Sequence, residues 1–245
     1  MFIKRYGEGN NIFIGFHGWS GDHRTFEPLI PFIPEDSSFY SYDLPGCGNS
    51  PEPENWDIET LTSTLLDSLE YFDNHPITFI GNCSGAIIGL LSAKKKMDLF
   101  FRLVLIDPFA YMPWYFSLFL NKSFGQKAYN LTFANPIGRR ITNASLKNKR
   151  SGQTNLTKSF EEVNHNSVYK YLQLLDEVGN ASRFKGINIP IDILYGENTF
   201  KAVKNSIEIW KEVLPQACFH ELKKAGHLPI EEAPEQVSEI LFKKN

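Results

Sequence analysis

Cys83 stands within Gly81-Asn82-Cys83-Ser84-Gly85, after an apolar run at residues 77–80 and before a helix-like apolar stretch at 86–91. A chain that turns abruptly from strand to helix around one residue strains that residue's backbone and leaves little room two positions to either side. Gly81 and Gly85 meet that demand. A thiol raised on such a turn can attack an acyl carbon and hold it as a thioester, which stays activated toward water, amines, thiols and alcohols. Thiols suit the task because their ordinary pKa, about 8.5, falls beside a helix N-terminus or a protonated histidine. Ser84 lacks glycines at both matching offsets, so its side chain is assigned no nucleophilic role.

The elements that must position these groups alternate along the chain. Residues 2–6 and 12–16 are short apolar runs separated by a turn-rich spacer at 7–11, a pattern that predicts a hairpin. The second run does not alternate, as expected of a strand covered on both faces. A strand at 39–42 leads into Asp43-Leu44-Pro45-Gly46-Cys47-Gly48-Asn49-Ser50, whose two glycines lack the third of a dinucleotide motif. Ile58, Leu61, Leu65, Leu69 and Phe72 share one helical face, and Asn74-His75-Pro76 closes that helix. Residues 77–80 form a central strand, 86–91 a helix buried all round, and 102–106 the next strand. From 109 to 178 no strand is predicted. This stretch begins with crowded aromatics and has a polar second part, 143–158, expected to be a mobile loop. Strands at 191–195 and 218–222, a helix at 206–214 and a final helix opened by Pro234 complete the pattern.

The glycine-flanked cysteine resembles the nucleophile elbow of the α/β-hydrolase family, Gly-x-Ser-x-Gly, with a thiol in the hydroxyl's place. His17-Gly18-Trp19-Ser20-Gly21-Asp22 is similar to the family's His-Gly-x loop, and His227 falls where its histidine lies. The resemblance covers nearly the whole chain. It implies an α/β fold, a mostly parallel sheet flanked by helices, with a core at 1–108 and 179–245 and a helical cap at 109–178. It further implies Cys83 as nucleophile, His227 as its base, and the backbone N–H groups of Trp19 and Ser84 as oxyanion donors; the loop from Asp43 would be structural. One position departs from the family: Thr199 stands where an aspartate usually orients the histidine. A Cys–His pair can work with a neutral third member, which leaves Asn198 or Thr199 as candidates. Asp107 is the other, with a structural turn and N-cap as its alternative role.

If the cap folds over the strand ends, some of Tyr111, Met112, Trp114, Tyr115 and Phe116 should face Cys83, with Tyr111, Trp114 and Tyr115 as candidate substrate contacts. Large apolar walls favour an acyl chain or ring over a sugar; the alternative is that these rings glue the cap to the core. The function expected is hydrolysis or transfer of an apolar acyl group from an ester or thioester. The alternative is an impaired homologue that binds a small apolar ligand. Dienelactone hydrolases and polymer-forming hydroxyacid synthases also carry cysteine at the elbow, and neither matches closely.

Composition bounds the rest. The 245 residues are 42% hydrophobic and 22% charged with a formal net charge of -3, which gives no electrostatic case for nucleic acid. No stretch reads as a secretory signal or a membrane span. Cys47, Cys83 and Cys218 lack metal-ligand spacing and suit free thiols in a reducing compartment, so a cytoplasmic protein without metal or cofactor is expected. Arg139, Arg140, Lys147, Lys149 and Arg150 lack phosphate-loop spacing. A solvated face accounts for them, and an acyl carrier is the partner such a cluster leaves open.

Overall fold

The computed structural model describes residues 1–72, 75–152 and 154–243. Its strands are β1 (Ile3–Tyr6), β2 (Asn11–Phe16), β3 (Ser37–Tyr42), β4 (Ile77–Asn82), β5 (Phe100–Ile106), β6 (Ile191–Gly196) and β7 (Cys218–Leu222). Among the described residues they form one sheet in the order β1-β3-β2-β4-β5-β6-β7, parallel throughout except for β1 at the edge. The helices are α1 (Ile58–Leu69), α2 (Ser84–Lys95), α3 (Trp114–Ser117), α4 (Gly125–Tyr129), α5 (Pro136–Ser145), α6 (His165–Val178), α7 (Lys201–Val213), α8 (Pro229–Glu232) and α9 (Pro234–Leu241).

The unalternating strands have the expected cause, because successive side chains point to opposite faces and both faces are covered. Ile12, Ile14, Phe16, Leu103 and Leu105 pack with α1, α2 and α7. Phe13, Val104 and Ile106 pack with Phe26 and Leu29 of the 3-10 segment His23–Phe32 and with Val237 and Leu241 of α9. Asp57 caps α1, its carboxylate accepting from the Thr60 N–H at 2.7 Å. Arg102 clamps α9 to the sheet, pairing with Asp192 at 2.6 Å and donating to the Ile240 and Leu241 carbonyls.

Between β5 and β6 the chain leaves the sheet and forms α3 to α6, where Tyr129, Phe133, Phe160 and Val168 make a separate apolar cluster. Asn135 and Asn164 cap α5 and α6, and Pro136 occupies the first turn of α5.

Several expectations need correction. β1 and β2 are not a hairpin: β1 pairs antiparallel with β3 while β2 lies between β3 and β4. The spacer is held instead against residues 36 and 37, where Gly9 N donates to Ser37 O at 3.1 Å and Asn11 N to Asp36 O at 3.1 Å. The stretch 143–158 is not simply a loop, since it contains the last turn of α5 and a 3-10 turn at Lys147–Lys149. Asn74, part of the expected helix stop, lies outside the described residues. The later helix starts at Lys201 rather than Ser206, and α8 precedes the helix opened by Pro234.

The N-terminus of α2 is pressed against the end of β2, where a Cβ on Gly85 would run into the carbonyl oxygens of Phe16 and His17. Gly85→Ala is therefore expected to destabilise the fold by about 1–3 kcal/mol, the usual cost of overpacking. Urea unfolding measures it, and an unchanged midpoint would contradict the contact.

Candidate active site

Cys83 occupies the turn from β4 into α2 with φ 50° and ψ -110°, a conformation that non-glycine residues rarely adopt. Its N–H donates to Ile106 O at 2.8 Å. A Cβ on Gly81 would lie 2.5 Å from Ala86 Cα, so both flanking glycines are required by contact. The His17–Ser20 loop comes alongside: a Cβ on Gly18 would stand 3.4 Å from Cys83 Cβ. His17 is buried and serves as a pin, its Nε2 accepting from Leu44 N at 3.0 Å and its Nδ1 donating to Gly18 O at 2.8 Å. Burial lowers its pKa and keeps it neutral. Ser84 opens α2, so its N–H lacks an acceptor within the helix. Among the described residues neither this N–H nor that of Trp19 donates to a backbone carbonyl.

Asp107 follows the last residue of β5, fully buried at φ 47°. Its Oδ2 accepts from His227 Nδ1 at 2.7 Å and from Thr199 Oγ1 at 2.5 Å, and its Oδ1 accepts from Gly196 N at 3.1 Å. Asp107 is thus the carboxylate beside the histidine. Thr199 supports it and also sits 3.2 Å from His227 Nδ1, whereas Asn198 is exposed. With Nδ1 held, Nε2 is the ring nitrogen left for Cys83. Burial disfavours the imidazolium, but hydrogen bonds with Asp107 and Cys83, reinforced by their charges, outweigh it and raise the His227 pKa to about 10. The rings of Phe200 and Phe109 flank the imidazole, with centroids 4.6 and 5.7 Å away.

The support behind His227 has no local signature in the chain. Its N–H donates to Lys149 O at 2.8 Å. Glu232 accepts from Gly226 N, from Ser151 N at 2.7 Å and from Thr154 Oγ1 at 2.7 Å. A glutamate in a short helix after the histidine loop looks like any first-turn acid, and only the fold brings residues 149–154 to it.

A cavity of about 920 Å³ opens over Cys83 and His227, lined also by Trp19, Ile87, Tyr111, Met112, Tyr115 and Phe116. Burial, with Tyr111 and Cys83 nearby, pushes the Tyr115 phenol up to about 12. Trp114 does not belong here, contrary to expectation: it is 76% exposed and absent from the lining. The short α3 turns its neighbours Tyr115 and Phe116 inward, which leaves Trp114 outside.

Among the described residues the grouping that could hold a metal is Asp22, His23 and Asp43, with ligand atoms within 4.8 Å of one another. They are committed to each other and to Arg24: His23 Nδ1 meets Asp43 at 2.8 Å and Asp22 meets Arg24 at 2.7 Å. Asp43 also accepts from Asn49 N at 2.8 Å, so its loop is structural as expected. Among the described residues no helix is long and apolar enough to cross a membrane.

The parallel sheet, the strained cysteine at the strand-to-helix turn and the histidine–carboxylate pair define an α/β-hydrolase-type architecture. Residues 12–240 match the Alpha/beta hydrolase family, and the chain belongs to it. It is similar to a strigolactone esterase from Pisum sativum, 26% identical over 42% of this chain and 41% of the relative. It is also similar to a pimeloyl-acyl-carrier-protein methyl ester esterase from Methylococcus capsulatus, 27% identical over 38% of this chain and 35% of the relative. The matched stretches thus span well under half of either relative. A thermophilic esterase structure from Thermogutta terrifontis superposes with a TM-score of 0.76, covering 98% of this chain and 91% of its own at 17% identity, a likeness of fold.

His227 supplies a pH signature. Its folded pKa, about 10, lies above the unfolded value near 6.5, so its contribution to stability is fully present below about 6.5 and is lost as pH rises through 10. Asp107→Asn removes the first of the two raising partners. The stability gap between wild type and Asp107→Asn is expected to narrow from pH 6 to pH 10, measured by urea unfolding across that range; a constant gap would contradict the assigned pairing.

Proposed function

We propose that the chain is an acyl hydrolase or acyltransferase in which Cys83 is the nucleophile, His227 its acid and base, and Asp107 the group that orients His227. The observation that carries this reading is the line of contacts from Asp107 through His227 to Cys83 beneath an apolar cavity. His227 takes the Cys83 thiol proton, and the thiolate attacks the acyl carbon of an ester or thioester. The oxyanion that forms lies against the N–H groups of Trp19 and Ser84, and His227 delivers a proton to the departing alkoxide or thiolate. The acyl group remains on Cys83 as a thioester. His227 then removes the proton of water, or of an alcohol, thiol or amine, as that acceptor attacks, and the thiolate leaves. Asp107 holds one tautomer and stabilises the imidazolium.

Residues 109–178 act as the cap in this reading, supported by their position over the strand ends and by Tyr111, Tyr115 and Phe116 in the cavity wall. The wall favours an apolar acyl chain or ring. The esterase names of the relatives support ester substrates, and the relative named for an acyl-carrier-protein ester supports a carrier-borne acyl group as one form of them. The free state of all three cysteines supports a reducing compartment. The rival reading, a ligand-binding homologue without an orienting acid, drew on Thr199, and the Asp107–His227 contact of 2.7 Å supplies that acid from another strand.

Assay against p-nitrophenyl esters and acyl thioesters of increasing chain length tests the proposal. Cys83→Ala is expected to lower kcat/KM on the order of 10³-fold or more, and Asp107→Asn by about 10²–10⁴-fold. Each added methylene is expected to raise kcat/KM by up to roughly fourfold until the cavity is filled. At limiting iodoacetamide Cys83 should label first. Cys47 should lag, because burial with Asp43 and Asp22 nearby pushes its thiol up to about 12, and Cys218 should label as an ordinary exposed thiol. Undiminished turnover in Cys83→Ala would overturn the mechanism.

A further inference from the structure

Residues 109–160 carry eight Lys and Arg and no Asp or Glu, in a chain whose formal net charge is -3. Positive charge is therefore gathered in this segment while the remainder is acidic. Lys122, Lys127, Arg140 and Lys147 are exposed, and among the described residues none has a carboxylate partner. Arg139 and Arg150 differ, since they donate to backbone carbonyls nearby.

The same segment holds six of the nine exposed large apolar side chains among the described residues, including Leu131, Ile137 and Ile141, each about two-thirds exposed. α5 buries none of its residues. Ile137, Ile141 and Ala144 recur at four- and three-residue spacing and share one face of it. Thr142 and Leu146, which line the cavity, project from the opposite side, so the isoleucine face points outward. Arg140 flanks that stripe, and the Leu131 carbonyl lies against Gly138, which sets Leu131 beside the helix. A helix with an apolar stripe on one side and cations at its edge is the form that lies in the plane of a bilayer interface.

We propose that this outer surface docks on an anionic lipid bilayer, with Ile137, Ile141 and Leu131 among the acyl chains and Arg140 and the exposed lysines on the phosphates. The charge is complementary, since an anionic leaflet attracts each nearby Lys or Arg by roughly fivefold in partitioning. The apolar stripe decides between a membrane and an acidic carrier protein: a carrier's carboxylates would answer the cations but leave both isoleucines in water. The inner side of the same segment lines the cavity, and Leu118 is both half exposed and in its wall. An amphiphile leaving the bilayer would meet that side chain between the surface and the cavity.

Co-sedimentation of the full chain with phosphatidylcholine vesicles, with and without phosphatidylglycerol, tests the proposal. The expected result is at least roughly tenfold stronger partitioning onto the anionic vesicles, weakened by salt. The double variant Ile137→Ser/Ile141→Ser and the single variant Arg140→Glu should each lose roughly fivefold or more. Both should keep the wild-type thermal midpoint and Cys83 alkylation rate, since none of the three residues lines the cavity. Absent partitioning, equal partitioning onto neutral and anionic vesicles, or variants that bind like wild type would overturn it. So would binding of an acyl carrier protein that Arg140→Glu abolishes and the double isoleucine variant keeps, in the absence of vesicle binding.

Discussion

The backbone at Cys83 can hold φ 50° only because the pieces around it are locked in contact. Such a conformation costs on the order of 1–3 kcal/mol, and burial of α2, whose residues 84–93 are all buried, offsets it. The sheet register then fixes what surrounds the thiol. Phe16 pairs with Gly81, and Asn82 with Ile106, so Cys83 and Asp107 emerge at one level and His17 one residue before them. The site geometry is a consequence of where three neighbouring parallel strands stop. Cys83 N–H to Ile106 O and Asp107 N–H to Leu194 O carry the ladder one residue past those strand ends.

Asp107 and Thr199 act as one unit. A carboxylate without solvent contact must have its lone pairs met by donors, and the Thr199 hydroxyl, the Gly196 N–H and His227 Nδ1 meet them. An acid at position 199 would place a second carboxylate against the first, and like charges at that distance cannot both ionise. With Asp107 buried at the end of β5, a donor rather than an acid is required at position 199. Threonine supplies one while remaining neutral.

The central strands and the elbow were legible because their signals are local: unalternating apolar runs mark strands covered on both faces, and glycines at fixed offsets mark a turn that tolerates no side chain there. The choice among Asp107, Asn198 and Thr199 was not legible, since it depends on how far apart β5 and β6 lie and on the path of the chain after each. The hairpin reading of β1 and β2 failed for a related reason. An edge strand takes whichever free edge the assembled sheet offers, and here that edge belonged to β3. Trp114 misled because α3 is a single turn, too short for periodicity to show which residues face inward. Glu232 gave no sign of its reach, since two of its partners lie about eighty residues away in the chain.

Trp19 ties its own loop to residues 109–178. It lines the cavity with Cys83, while its indole donates to Val168 O of α6 at 2.7 Å and packs among Phe116, Tyr129, Phe133 and Phe160. On the other side of the site, Lys149 O accepts from His227 N–H, and Glu232 ties residues 151 and 154 to Gly226. Lifting residues 109–178 away as one body would break both attachments, strip water-free partners from buried polar groups and expose the aromatic cluster. The same contacts that line the cavity also hold the Trp19 indole and the His227 backbone. Covering and positioning are one set of interactions.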